Sequence, residues 1–297
     1  MIHLEGMGIL GSYIALRLEQ EGMPFTWHDS RLRVNAWWAS TGAIFPSGDA
    51  DDQWALDVWR EHLGQDGFAD FMEEANYVYC TKNPPHGGRY TSEELVPGIR
   101  LAELSSLHVN ASQFVLSTRM RFRLQELSVP DGERLRQGDT EPNEYVVTHG
   151  FGARLERFMW GWTIPVRVRT RPSDLTVGLR AALYMRHGRF TMAYAYPIPG
   201  TDMWYSGSSL ISQHEPKELD IDAKFKRWRN DFMELSGGFV TGVSRAGQPR
   251  QGWRPVPGRE DKAWVRRTAD GLLGVRPLWH SGIRQAPLVY AALCKEL

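Results

Sequence analysis

The chain opens on a strand-sized apolar stretch at residues 2–5, broken at once by Gly6, Gly8 and Gly11. From 12 to 20 the apolar positions Ile14, Ala15 and Leu18 recur at helical spacing, and Gly22 marks a helix stop. Residues 24–28 read as a second strand finishing at Asp29. Strand, glycine turn, helix and strand within about thirty residues make a βαβ unit. Over 49–76, acidic and aromatic residues at helical spacing predict two helices joined near Gly64 and Gly67. Pro84, Pro85, Gly87 and Gly88 make 82–88 a loop. An amphipathic helix over 111–123 follows, then a polar turn at 130–132 and a charged connection at 139–143. A short strand at 144–148 runs into His149 and Gly150.

Past residue 163 the pattern changes. Residues 165–171 alternate Val166 and Val168 with Arg167 and Arg169, and 190–196 and 203–205 are strand-like across a turn at Pro199, Gly200 and Thr201. A helix at 221–235, glycine-rich turns, a strand at 272–275 and a last helix at 286–297 complete the order. The pattern is that of a nucleotide-binding α/β domain built from separate chain segments, with an antiparallel β-rich domain inserted.

The 297 residues are enough for one large domain or two ordinary ones, and for a core that needs no metal or disulfide staple. The 35 basic and 35 acidic residues cancel, which argues against a general nucleic-acid or anionic-membrane binder. Only Cys80 and Cys294 occur, so no disulfide framework or cysteine-rich zinc site can form, and a reducing, cytoplasmic setting is expected. The apolar stretch at 7–18 lacks a basic flank and follows Glu5, unlike a signal peptide. No apolar run reaches the length of a membrane-spanning helix. The 12 tryptophans are expected mainly as packing residues.

Gly6, Gly8 and Gly11 fit G-x-G-x-x-G, a weak pattern alone. It gains weight from the strand before it, the helix after it and the acid ending the next strand, with seventeen residues between Gly11 and Asp29. The first glycine makes the tight turn, the second admits a pyrophosphate to the backbone, and the third lets helix pack on strand. Asp29 would bond the adenosine ribose hydroxyls, and the helix N-terminus offers N–H donors to the phosphates. His3 and Glu5 depart from the apolar run expected of a buried parallel strand. The pattern does not choose between FAD and NAD.

Five further stretches resemble the D-amino-acid oxidase/glycine oxidase family of FAD-dependent oxidoreductases. They are 36–46, with Ala39, Ser40, Thr41 and Gly42 leading to Pro46; 145–150; 192–201, in which Tyr196 precedes Pro199 and Gly200; 252–257, where Arg254 follows Gly252 and Trp253; and 279–287, the closing loop. The stretches fall in the family's order and, with the fingerprint, reach from Gly6 to about Leu293. The resemblance implies a Rossmann-like FAD-binding domain with an inserted antiparallel-β substrate domain, an architecture like that of glutathione reductase. The corresponding segments are 1–48, 100–164 and 255–297 for FAD, and 49–99 and 165–254 for substrate. It implies non-covalent FAD held by Gly6, Gly8, Ile9, Leu10 and Gly11, by Asp29, Ser30 and Arg31, and by Ala39, Ser40, Thr41 and Gly42. Thr148 and Gly150 would join them, with Gly282, Ile283, Arg284 and Gln285 from the closing loop. Two departures stand out: the chain is short between Arg123 and Tyr145, and Ser281 and Arg284 stand where the family has glycines.

The implied activity is oxidation of a small amine, foremost an amino acid, by hydride transfer to flavin N5, with O2 or another acceptor taking the electrons. Arg254 would pair bidentately with the substrate carboxylate and Tyr196 would donate its hydroxyl. No metal is implied. Arg284 is open to three readings: a second anion holder, a cation stabilising reduced flavin near N1, or a surface residue. A hydroxy acid or a residue on a partner protein as substrate, and a catalytically silent FAD-binding subunit, remain alternatives. Assembly of identical chains is left open.

Overall fold

The computed structural model describes residues 1–29, 37, 40–84, 86–127, 144–148, 157–171, 181–187, 191–198, 201–207, 211–213, 220–256, 265–267, 271–275 and 283–297. Its first elements are β1 (Ile2–Glu5), α1 (Ile9–Gln20) and β2 (Phe25–His28). β1 and β2 pair in parallel, with Ile2 opposite Phe25 and Glu5 opposite His28, as the βαβ reading requires. His3 is buried, bonds Thr26 Oγ1 through Nδ1 at 2.9 Å and packs on the Tyr145 ring, so the polar residue is accommodated inside the sheet. Gly22, at φ 68°, ends α1 in the left-handed region that glycine enters freely.

β3 (Ala43–Ile44) leads to α2 (Ala50–Glu61), whose N-cap Asp49 accepts from the backbone N–H groups of Asp51 and Asp52. The second helix expected before residue 76 does not form. A single 3-10 turn at Ala69–Phe71 gives way to β4 (Met72–Thr81). Val78 and Cys80 face one core while Tyr77 and Tyr79 face another. Burial on both faces removes the period-2 alternation that would have identified a strand. β5 (Arg89–Val96) and β6 (Ile99–Val109), for which the sequence pattern gave no strand, form a hairpin about Gly98 at φ 77°.

α3 (Ala111–Arg121) follows, capped by Asn110. Next come β7 (Glu144–Val147), β8 (Arg157–Thr170), β9 (Ala181–His187), β10 (Thr191–Pro197), β11 (Trp204–Gly207) and β12 (Ile211–Gln213). The remaining elements are α4 (Ile221–Leu235), β13 (Val240–Arg245), β14 (Arg250–Val256), β15 (Val265–Arg267), β16 (Leu273–Val275) and α5 (Ala286–Leu293).

The strands make two sheets. The smaller runs β15-β16-β7-β1-β2, with β16, β7, β1 and β2 in parallel. The larger runs β12-β8-β11-β10-β9-β4-β6-β3, with β13 and β14 also on β8 and β5 on β6. Strand alternation gives the larger sheet two faces. Ile164, Val166, Ala193 and Ala195 pack under Trp228 and Phe232 of α4. Tyr77, Tyr79, Leu104 and Tyr196 face the other way, against Phe45. β6 crosses residue 100, β8 crosses residue 164 and β14 crosses residue 254, so three of the four boundaries between the segments fall inside strands of the larger sheet.

Candidate functional site: a glycine turn beside a tyrosine-faced sheet

The turn between β1 and α1 is built for close approach. Gly6 sits at φ 105° and its N–H donates to the His28 carbonyl at 2.7 Å. Gly8 is the N-cap of α1, in extended backbone, and Ile9, Leu10 and Gly11 form the first helical turn. A Cβ on Gly11 would overlap the Gly6 carbonyl oxygen and lie 3.1 Å from Thr148 Oγ1. The Thr148 hydroxyl donates to the Gly6 carbonyl, and its backbone N–H donates to Glu5 at 2.8 Å. Gly11 is thus fixed by backbone packing, whereas a Cβ on Gly8 would only touch Trp37 Cδ1 at 3.5 Å.

Asp29 ends β2 and is 8% exposed. Its carboxylate is ion-paired with Arg119 of α3, which sequence reasoning missed because no local pattern links the two positions. Arg119 Nε also donates to the Met7 carbonyl at 2.9 Å, and its guanidinium lies 5.3 Å from the centroid of the Trp37 ring. A helix N-terminus with a glycine cap and no capping side chain, a tight glycine turn and an acid at the next strand end suit a dinucleotide's pyrophosphate and ribose. The residues present therefore fit an ADP-containing cofactor.

The segment from Ser40 to Phe45 joins this turn to the larger sheet. Gly42, at φ 76°, lies so close to β6 that a Cβ would overlap the Val109 carbonyl. Its own carbonyl accepts from Val109 N at 3.0 Å, and its N–H is 3.3 Å from Ser40 Oγ. Thr41 beside it is half-buried. His108 stands opposite Ala43 in the strand register, fully buried, and burial pushes its pKa down to about 3. Tyr77 donates to the Leu107 carbonyl at 2.8 Å and lies 3.4 Å from His108 Nδ1.

Phe45 carries the segment into an aromatic cluster. Its ring centroid is 4.9 Å from Tyr77 and 5.5 Å from Tyr196. Tyr196 stacks on Tyr194 at 5.0 Å and meets the edge of Tyr77 at 5.6 Å. Tyr196 is buried, with 4% of its surface exposed. Arg254 has its backbone on β14 opposite Met159; its side chain lies outside the described part of the structure. Ser30, Arg31, Ala39, Gly150 and Gly282 also lie outside the described residues.

The described part of the closing loop is tied to α2. The Ile283 carbonyl accepts from Trp59 Nε1 at 2.9 Å. Arg284 pairs with Asp52 at 2.6 Å and reaches the Phe45 carbonyl at 3.5 Å. Gln285 donates to the same carboxylate at 3.2 Å, and Ser47 adds a third donor at 3.0 Å. Arg284 is therefore compensated by a buried acid, an arrangement none of the three readings contained. Among the described residues no cluster of His, Cys, Asp and Glu could hold a metal, and no helix is long and apolar enough to cross a membrane.

No protein-family model and no curated protein sequence matches the chain. Solved structures do. Iminodiacetate oxidase from Chelativorans sp. BNC1 superposes with a TM-score of 0.66 at 14% identity, covering 98% of this chain and 93% of that one. Glycine oxidase from Bacillus cereus gives 0.66 at 15% identity, covering 99% and 94%. L-alpha-glycerophosphate oxidase from Mycoplasma pneumoniae, with FAD bound, gives 0.63 at 13% identity, covering 99% and 93%. The chain thus shares the mixed α/β fold of these oxidases, several sheets included.

Proposed function

We propose that the chain is an FAD-dependent oxidoreductase that oxidises a small amine, foremost an amino acid. The observation that carries this reading is the glycine turn with its ribose-competent acid, set beside a tyrosine-faced sheet in a chain with the fold of amine oxidases. In this reading the smaller sheet and α1 hold the cofactor, and the inner face of the larger sheet holds the substrate. Gly6 and Gly11 keep the turn tight, the first turn of α1 offers N–H donors to the pyrophosphate, and Asp29 accepts from the ribose. Ser40, Thr41 and Gly42 carry the chain from that turn to the substrate face.

Bound FAD would accept a hydride from the amine-bearing carbon; the resulting imine hydrolyses to an oxo compound and ammonia, and O2 or another acceptor removes the electrons. The protein's task is positioning and exclusion of water. Arg254 would anchor the substrate carboxylate, and Tyr196 with Phe45 and Tyr77 would wall the apolar side. Oxidation of a hydroxyl-bearing carbon is the second reading, favoured by the shared fold of the glycerophosphate oxidase.

The test is the visible spectrum of the purified protein before and after anaerobic addition of amino acids. Flavin bands that bleach, with ammonia formed, support the first reading. Bleaching by hydroxy acids alone supports the second. A yellow protein that neither class reduces would be a silent FAD-binding subunit. A colourless folded protein that ignores added FAD would overturn the proposal.

A further inference from the structure

The outer face of α3 is apolar, where a surface helix is ordinarily polar. Its inner face packs into the core through Phe114, Val115 and Thr118, with Phe122 just beyond the last turn. On the opposite side Leu116, Met120 and Leu124 follow one another at i, i+4 and i+8, the last in the 3-10 turn Arg123–Gln125. They are 50%, 66% and 89% exposed. Single exposed leucines are ordinary, but three apolar side chains in one row make a patch. Ser117, small and exposed beside them, lets another helix come close.

The N-terminal half of the same helix borders a cleft of about 370 Å³. Asn110, Gln113 and Leu116 line one side, and Pro165, Ile198 and Met203 line the other. Arg250 in this cleft already donates to Tyr205 Oη at 2.6 Å and to Ser112 Oγ at 3.2 Å, so an apolar guest leaves it partnered. One helix thus carries both a projecting apolar side chain and a recess. Ser117 is midway in sequence between Asn110, at the recess, and Leu124. A second copy of α3 laid antiparallel across Ser117 brings each Leu124 over the other's cleft. Charge agrees with that arrangement. Arg123, next to Leu124, is exposed and forms no ion pair among the described residues. Asp202, next to Met203 at the rim of the cleft, is an exposed carboxylate bonded from one side by Arg167 at 3.0 Å.

We propose that the outer face of α3 and this cleft form a two-fold interface between copies of this chain. Leu124 enters the partner's cleft, Met120 packs on the partner's helix, and Arg123 pairs with the partner's Asp202. A different protein would have to supply both a recess and a projecting side chain at the same offset, and a second copy supplies both. The interface requires neither cofactor nor substrate.

The experiment is sedimentation equilibrium of the whole purified chain over a concentration series, with circular dichroism of each variant. The parent chain is expected to dimerise. Leu124→Glu and Met120→Glu should each raise the dissociation constant about tenfold or more, since a charge then enters an apolar contact. Both side chains are exposed in the single chain, so the helix signal should not change. Arg123→Asp should weaken association, and Arg123→Asp combined with Asp202→Arg should restore it. Trp54→Glu, exposed on α2, should change nothing. A parent chain that stays monomeric, a dimer indifferent to Leu124→Glu and Met120→Glu, or a charge swap that fails to restore association would each overturn the interface.

Discussion

Arg119, in the last turn of α3, is ion-paired with Asp29 at the end of β2 and holds the Met7 carbonyl of the glycine turn with the same guanidinium. One side chain thus fixes both the Asp29 carboxylate and the backbone of the glycine turn. Hydrogen bonds to charged groups contribute about 1.5–3 kcal/mol each. Asp29→Ala should weaken FAD roughly ten- to a hundredfold. Arg119→Met should weaken it by a similar factor, and the double variant by less than the product. Titration of apoprotein with FAD, followed by flavin fluorescence, checks this; unchanged affinity in Arg119→Met would show that Asp29 needs no such support.

The two glycines that flank Ile9 and Leu10 should fail differently. Gly11→Ala places a Cβ on the Gly6 carbonyl and should lower the melting temperature with or without cofactor. Gly8→Ala meets only Trp37 at an ordinary contact distance of 3.5 Å, so the apoprotein should melt normally. Its FAD affinity should nonetheless fall if, as proposed, the pyrophosphate approaches the backbone at Gly8, where the new methyl group would stand. Melting curves of apo and FAD-supplemented protein distinguish the two cases.

Asp52 gathers Arg284, Gln285 and Ser47, and so pins the closing loop to α2. Breaking a buried ion pair costs about 3–5 kcal/mol. The side chains of Arg284 and Asp52 keep 20% and 12% of their exposure, so a smaller loss of about 2 kcal/mol is expected for Asp52→Asn. Arg284→Met should cost less, since Ser47 and Gln285 still donate to the carboxylate. Urea unfolding of the two single variants and the double variant yields the coupling directly; an additive double variant would show the pair to be idle.

Stability should fall on the acid side because of His108. Its folded pKa, near 3, lies below the unfolded value near 6.5, so the unfolded chain binds the extra proton between them. The stabilising contribution is complete above the unfolded value and drains away as pH drops toward 3, at up to about 1.4 kcal/mol per pH unit. His62, whose pKa is lowered mainly by burial, adds a drop of the same sign. Urea midpoints at pH 5 and pH 7 should differ more in the parent chain than in His108→Asn. An equal difference would place the acid sensitivity elsewhere.

For the substrate anchor, Arg254→Ala should leave FAD bound and reduce kcat/KM for an amino acid more than tenfold. Truncating one partner of a buried charge pair costs about 2–5 kcal/mol. Arg254→Lys should recover part of that, since a point charge does not reproduce the guanidinium fork. An amine without a carboxylate should be spared. Equal damage to both substrates would remove Arg254 from the anchor role.

What was legible in the sequence was local. The βαβ unit, the glycine spacing and Asp29 could be read because each is set by neighbours within about thirty residues. The helix at 221–235 was readable because Trp228 and Phe232 fall on one face of it. β4 was mistaken for a helix because both its faces are buried, and the β5–β6 hairpin went unread. At the site, Gly42 was found from its loop, but its partner Val109 was not. Arg119 and Asp52 escaped because each meets its partner across a long loop of chain, by a pairing no short window contains.

The same distances bear on the order in which the molecule is made. The glycine turn lies near the start of the chain, yet its hydroxyl brace is Thr148, its cation is Arg119, and the neighbouring loop is slotted against Val109. Each of those contacts closes a long stretch of polymer, and closure entropy must be met before the contacts repay it. A ribosome that has released only the βαβ unit has made the motif without its supports. The braced glycine turn is therefore a late product of folding, complete only once β6, α3 and β7 are in place.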